Sequence, residues 1–176
     1  MIEVRPDLAR TYAGQYASGT SAWRALCGTY KARNLLRVCE GPTPPRVRDC
    51  GSGEGSVLAH VHASGRFEEL HALELSPSGA EQIRKRDLPR VAEVRTFDGY
   101  RIPYPDGHFD LAYCSHVLEH VEHPRLLLRE LRRVSAFQAF EVPLDYTPAL
   151  DGRCDALLQI GHNNVFTPST FRFLLR

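Results

Sequence analysis

Three groups of residues in this chain are of types and spacings that could do chemistry. The first is Asp49-Cys50-Gly51-Ser52-Gly53-Glu54-Gly55, an acid followed by glycines at alternate positions. Glycines at this density let the backbone turn sharply and approach a ligand with no Cβ in the way. A segment able to start a helix follows, and a helix N-terminus presents N–H groups and a positive dipole end. The second group is Glu74 and Asp98, each closing an apolar run. Glu74 lies about 20 residues beyond the glycines, the separation at which nucleotide-binding folds place a carboxylate on ribose hydroxyls. The third is His116, Glu119 and His120, with His162 further along; an imidazole can take a proton at neutral pH. A dinucleotide fingerprint needs G-x-G-x-x-G, and Ser56 stands where its third glycine would be. A cofactor with a single nucleoside is the better fit.

Such residues must be held by strand ends and the loops after them. Apolar runs predict strands at 47–50, 69–75, 92–97, 109–115 and 137–143. Between and after them, helices are expected at 54–63, 76–86, 123–135 and 167–176. Ser76-Pro77 and Thr167-Pro168 each offer a cap followed by a first-turn proline. Alternation of strand and helix implies an α/β fold with right-handed crossovers. The sheet is expected to be Rossmann-like and mostly parallel, in the order 3-2-1-4-5, with helices on both faces. Its ligand belongs at the carboxyl ends, near the switch between strands 1 and 4. Residues 1–45 read as an N-terminal helical lid and connector, and 46–176 as the cofactor-binding core. In the lid, Trp23, Leu26, Tyr30 and Leu35 fall near helical periodicity, which favours a core role. Tyr12, Tyr16, Trp23 and Lys31 are the residues there that could instead wall a site.

D-x-G-x-G-x-G at Asp49–Gly55 resembles the first motif of class I S-adenosylmethionine-dependent methyltransferases. The block Ile102-Pro103-Tyr104-Pro105-Asp106-Gly107-His108-Phe109-Asp110, followed by a strand and His116-Val117-Leu118-Glu119-His120-Val121, is similar to the central signature of their small-molecule (methyltransferase type 11-like) group. The resemblance implies methyl transfer from S-adenosylmethionine to an oxygen or nitrogen of a small molecule, with S-adenosylhomocysteine as product. Asp49, Gly51, Ser52, Gly53 and Gly55 would cradle the methionine part. Glu74 would accept the ribose hydroxyls, Leu75 would pack on the adenine, and Asp98 with Gly99 would meet its amino edge. Ser115 and His116 would sit beside the reactive methyl, with His116 as the base. No metal ligand is assigned, because H-V-L-E-H-V and a later G-H-x-x-x-F-T-P also occur in the group without one.

Two other readings start from the same residues. His116-x-x-Glu119-His120, a spacing that puts the three on one side of a helical turn, plus His162 looks partly like the E-x-x-E-H plus distant His of metal-assisted RNA 3′-terminal 2′-O-methyltransferases, with His116 where that motif has its first glutamate. A non-catalytic cofactor-binding or interaction domain is the other. It draws on the ending: enzymes of this class carry further strands after the helix that begins near Thr167, and this chain stops inside that helix. The C-terminal strands are therefore expected to be missing. Strand 5 would be an open edge, through which the chain could self-associate.

Composition narrows the partners. Hydrophobic content of 43% and charged content of 24% are ordinary for a globular domain. A net charge of +1, without a long basic run, argues against extended nucleic acid. No apolar stretch approaches the ~20 residues that span a bilayer, and the N-terminus lacks signal-peptide character. Five scattered cysteines are an odd number, which points to a reduced, cytoplasmic setting with no disulfide framework.

Overall fold

The computed structural model describes residues 16–17, 21–41 and 45–176. Tyr12 lies outside them, as does most of the Gly41–Pro45 connector. The first element among the described residues is helix α1 (Ala22–Val38), with Ser21 accepting a hydrogen bond from the Arg24 N–H at its start. Alternating elements follow: β1 (Arg46–Cys50), α2 (Ser56–Ala63), β2 (Glu69–Glu74), α3 (Pro77–Lys85), β3 (Val91–Thr96), β4 (Phe109–Ser115), α4 (Pro124–Val134) and β5 (Ser135–Glu141). Two short helices close the chain, α5 (Cys154–Gln159) and α6 (Pro168–Leu174). The five strands form one sheet in the order β3-β2-β1-β4-β5, and every pairing is parallel. The expected order is the observed one.

A parallel sheet covered on both faces buries alternate residues on opposite sides. On one face Val47, Leu70, Ala72, Leu111 and Tyr113 pack under Ala32 and Leu35 of α1, Leu58 and Val61 of α2 and Ile83 of α3. On the other, Cys50, Leu73, Ala112 and Cys114 pack under Leu127, Leu131 and Val134 of α4, with Ile102, Phe109 and Phe166. Parallel pairing aligns all the carboxyl ends along one rim. Cys50 pairs with Leu73, Glu74 with Thr96 and Ser115 with Glu141.

Three expectations need correction. Of the four side chains at helical spacing in the lid helix, Leu35 is buried and the other three are largely exposed. Trp23 is 72% exposed, and Leu26 and Tyr30 are about half exposed. Its buried face is Gly28, Ala32 and Leu35, because α1 lies so close to α2 that a Cβ on Gly28 would meet Ser56 Cβ at 2.8 Å. The stretch 116–120 is a bend at His116 followed by one turn over 118–120, closed by the His120 N–H donating to the Val117 carbonyl, and not a helical turn. A left-handed backbone at His116 (φ 56°) ends the strand and prevents a helix from starting there. Finally, α5 lies in a loop where no helix is expected. It is short, exposed and held mainly by Leu157, so no strong apolar period marks it.

Candidate functional site

Gly51, Gly53 and Gly55 all have positive φ (78°, 57° and 83°), the conformation that glycine alone adopts cheaply. The turn is braced by the end of β2. The N–H groups of Gly51 and Ser52 both donate to the Leu73 carbonyl, at 2.7 and 3.1 Å. The Gly53 N–H donates to Glu74 Oε2 at 2.7 Å, and the Ser76 N–H donates to Oε1 at 2.9 Å. Glu74 is therefore buried, fixed in rotamer and tied to the loop it faces. Burial raises its pKa, opposed by these N–H donors. Beneath the loop, Asp49 is buried with Oδ2 lacking a hydrogen-bond partner. Desolvation pushes its carboxyl up to about 7. Ser52 Oγ donates to the Asp49 carbonyl, which closes the base of the turn.

These groups open on a cleft at the rim formed by the strand ends. One lobe, about 150 Å³, is mainly apolar and is lined by Leu75, Phe97, Gly99, Tyr100, Val117, Val121 and Leu127, with Glu74 at its wall. The adjoining lobe, about 280 Å³, is polar. Ser52, Gly53, Ser115, Glu119 and His162 line it, with Trp23 and Lys31 of α1 opposite. Tyr16, Gly51, His116 and His120 border both lobes. Asp98 behaves differently from its neighbour Gly99. Its Oδ1 accepts from the N–H groups of Tyr100 and Arg101, at 2.9 and 2.7 Å, and it shapes the turn without lining either lobe. Gly55 also stands apart, as the left-handed residue that starts α2.

His116 closes β4 at the meeting point of the lobes. Its N–H donates to the Glu141 carbonyl at 2.9 Å, while Ser115 Oγ donates to Glu141 Oε2 at 2.6 Å. The end of β5 thus pins both residues. His116 Nδ1 lies 3.3 Å from Glu119 Oε1. A bulky residue held in the left-handed region stores strain, which clusters at functional sites. His120 follows one turn later. It borders the cleft, with Nδ1 3.0 Å from the Gly161 carbonyl. Burial lowers its pKa, with Glu119 acting in the opposite direction. His162 comes from beyond β5 to stack edge-on against it, with ring centroids 4.9 Å apart. Asp145 holds His162 Nδ1 at 2.9 Å. Sequence reasoning missed this carboxylate, as it missed the wall residues Phe97, Tyr100, Val117 and Val121. Phe97 and Tyr100 flank Asp98-Gly99, and that adjacency was the available signal.

Residues 48–136, half of the chain, match the family profile described as a methyltransferase domain. The chain belongs to the class I S-adenosylmethionine-dependent methyltransferases. Among relatives of this chain, a malonyl-[acyl-carrier protein] O-methyltransferase of Halorhodospira halophila is 35% identical over 95 residues, covering 53% of this chain and 32% of that protein. Norajmaline N-methyltransferase of Rauvolfia serpentina is 33% identical over 147 residues, covering 77% of this chain and 50% of that protein. The chain thus spans at most half the length of either relative. Among solved structures, a methyltransferase of Haloferax volcanii in complex with the Trm112 methyltransferase activator superimposes with a TM-score of 0.75 at 16% identity. That match covers 99% of this chain and 76% of the other, and it speaks for the fold. The cleft fits the family's cofactor in its donor set. It combines a buried carboxylate, an apolar slot, and an acid with one unpartnered oxygen beneath a loop whose close approach needs glycine.

Proposed function

We propose that this domain transfers a methyl group from S-adenosylmethionine to an oxygen or nitrogen of a small molecule, in the reducing setting of the cytoplasm. The observation that carries the reading is the convergence of Glu74, the glycine turn and His116 on one cleft at the strand ends. The cofactor, when bound, supplies a methyl already activated on a sulfonium. The protein's own work is then alignment, exclusion of water and, where the acceptor requires it, removal of a proton.

In this reading Glu74 uses the lone pairs left over from Gly53 and Ser76 to accept two ribose hydroxyls. Leu75, Phe97 and Tyr100 flank the adenine, and Gly99 lies at its edge. Asp98 acts through the turn it caps. Gly51, Ser52 and Gly53 enclose the methionine part, Gly55 sets the start of α2, and Asp49 faces the ammonium from below. Ser115 and His116 stand at the entry of the acceptor, with the His116 imidazole taking its proton. Tyr16, Trp23 and Lys31 cover the polar lobe as a lid. The relatives named above, one an O- and one an N-methyltransferase, support an acceptor atom of either kind.

A transfer assay with labelled methyl against mixed metabolites tests the proposal. His116→Ala should lower the rate by about 10²–10⁴-fold, the usual worth of a positioned base, with S-adenosylhomocysteine affinity nearly unchanged. An unchanged rate in the variant removes His116 as the base. Absence of any transfer by the wild-type chain favours a binding module.

A further inference from the structure

Glu119 is fully buried, and both of its carboxylate oxygens lack a hydrogen-bond partner. An uncompensated buried carboxylate costs on the order of several kcal/mol, so such a group requires a cation or a proton. Its polar neighbours are imidazoles. His116 Nδ1 is 3.3 Å and His120 Nε2 is 3.9 Å from Oε1, and Glu119, His120 and His162 form a set whose ligand atoms all lie within 4.8 Å of one another. The tautomers follow from the outer partners. A carbonyl only accepts, so the Gly161 oxygen makes His120 Nδ1 the donor. Asp145 does the same for His162 Nδ1. Nδ1 is thereby the donor in each ring, and a carboxylate or carbonyl behind the ring is the support that ligating histidines use.

We propose that Glu119, His120 and His162 form a three-ligand site for a divalent transition-metal ion at the polar lobe of the cleft. Two imidazoles and one carboxylate suit zinc, manganese or cobalt better than magnesium or calcium. Bonds of about 2.0–2.2 Å would bring the ligand atoms to roughly 3–3.5 Å apart, so closure takes side-chain movement on the order of an ångström. All three residues line the lobe. The ion would therefore keep a coordination position facing the cleft, as in a site with an exchangeable ligand and not a closed structural one. This departs from the expectation that no residue ligates a metal. It does not depend on the identity of the methyl acceptor.

The test is titration of the tag-free, metal-stripped chain with cobalt(II), followed by visible absorption and by competition with zinc. One equivalent should bind and give a ligand-field spectrum that zinc abolishes. Glu119→Gln and His162→Ala should each lose binding by at least about a hundredfold, and Asp145→Asn by about 10–100-fold. Circular dichroism reports whether each variant is folded, and Asp145→Asn, which touches no metal, covers the case in which Glu119→Gln is not. Failure of the wild type to bind one equivalent overturns the site. So does binding that is unchanged in folded His162→Ala and Asp145→Asn. S-adenosylhomocysteine affinity measured on the same samples separates the two proposals, since intact cofactor binding without metal uptake leaves the methyltransferase reading standing.

Discussion

At the scale of single residues, the site divides by how its chemistry is encoded. Glu74 and the glycines were legible because the backbone itself demands them. A left-handed turn selects glycine, and an acid closing the second strand has one rim to face. His162 and Asp145 were not legible as a pair, because only the fold brings the segment after β5 back against the turn after β4. Asp49 falls between these cases. Its place in the motif is plain, but its burial is a three-dimensional fact. With its carboxyl pushed up to about 7 by desolvation, the folded chain holds a proton that the unfolded chain releases near pH 4. The stability it contributes is full below about pH 4, falls as pH rises from about 4 to about 7, and is level above that. Melting temperature should therefore decline across this window, and Asp49→Asn should flatten the decline. Equal slopes in the two proteins would mean that Asp49 titrates normally.

At the scale of elements, period and caps located every strand and the helices α2, α3, α4 and α6 to within a few residues. Errors arose where a neighbour outweighed the local pattern. Trp23 and Tyr30 sit at helical spacing yet face outward, since the contact of α1 with α2 passes through Gly28, and that closeness excludes large side chains. Strand β5 begins earlier than its apolar run because α4 passes directly into it at Ser135. This strand is an edge of the sheet, and its Phe137 is 71% exposed. An edge with open backbone groups and an exposed aromatic is a template for pairing. Were β5 to pair with a second copy, the sedimentation coefficient would rise with concentration and stay constant in Phe137→Asp. A wild-type chain that remains monomeric at all concentrations would exclude it.

At the scale of the whole molecule, the alternation of strand and helix pointed to a doubly wound parallel sheet with right-handed crossovers, and the order expected for it, β3-β2-β1-β4-β5, is the one observed. That order places the ends of β1, β2 and β4 side by side and so assembles loop, carboxylate and imidazole from segments distant in sequence. Among the described residues no helix is long and apolar enough to cross a membrane. The acceptor was not legible, because the polar lobe that would admit it is walled by α1 and by the segment carrying His162, where sequence patterns are weakest. The central claim is that the rim binds a single-nucleoside cofactor through Glu74, and calorimetric titration with S-adenosylhomocysteine tests it most directly. Charge-assisted hydrogen bonds are each worth ~1.5–3 kcal/mol. The wild type should therefore bind at one site, folded Glu74→Ala should bind about tenfold to a thousandfold more weakly, and NAD should not bind comparably. Equal affinity in wild type and variant, or NAD binding as well as S-adenosylhomocysteine, would contradict it.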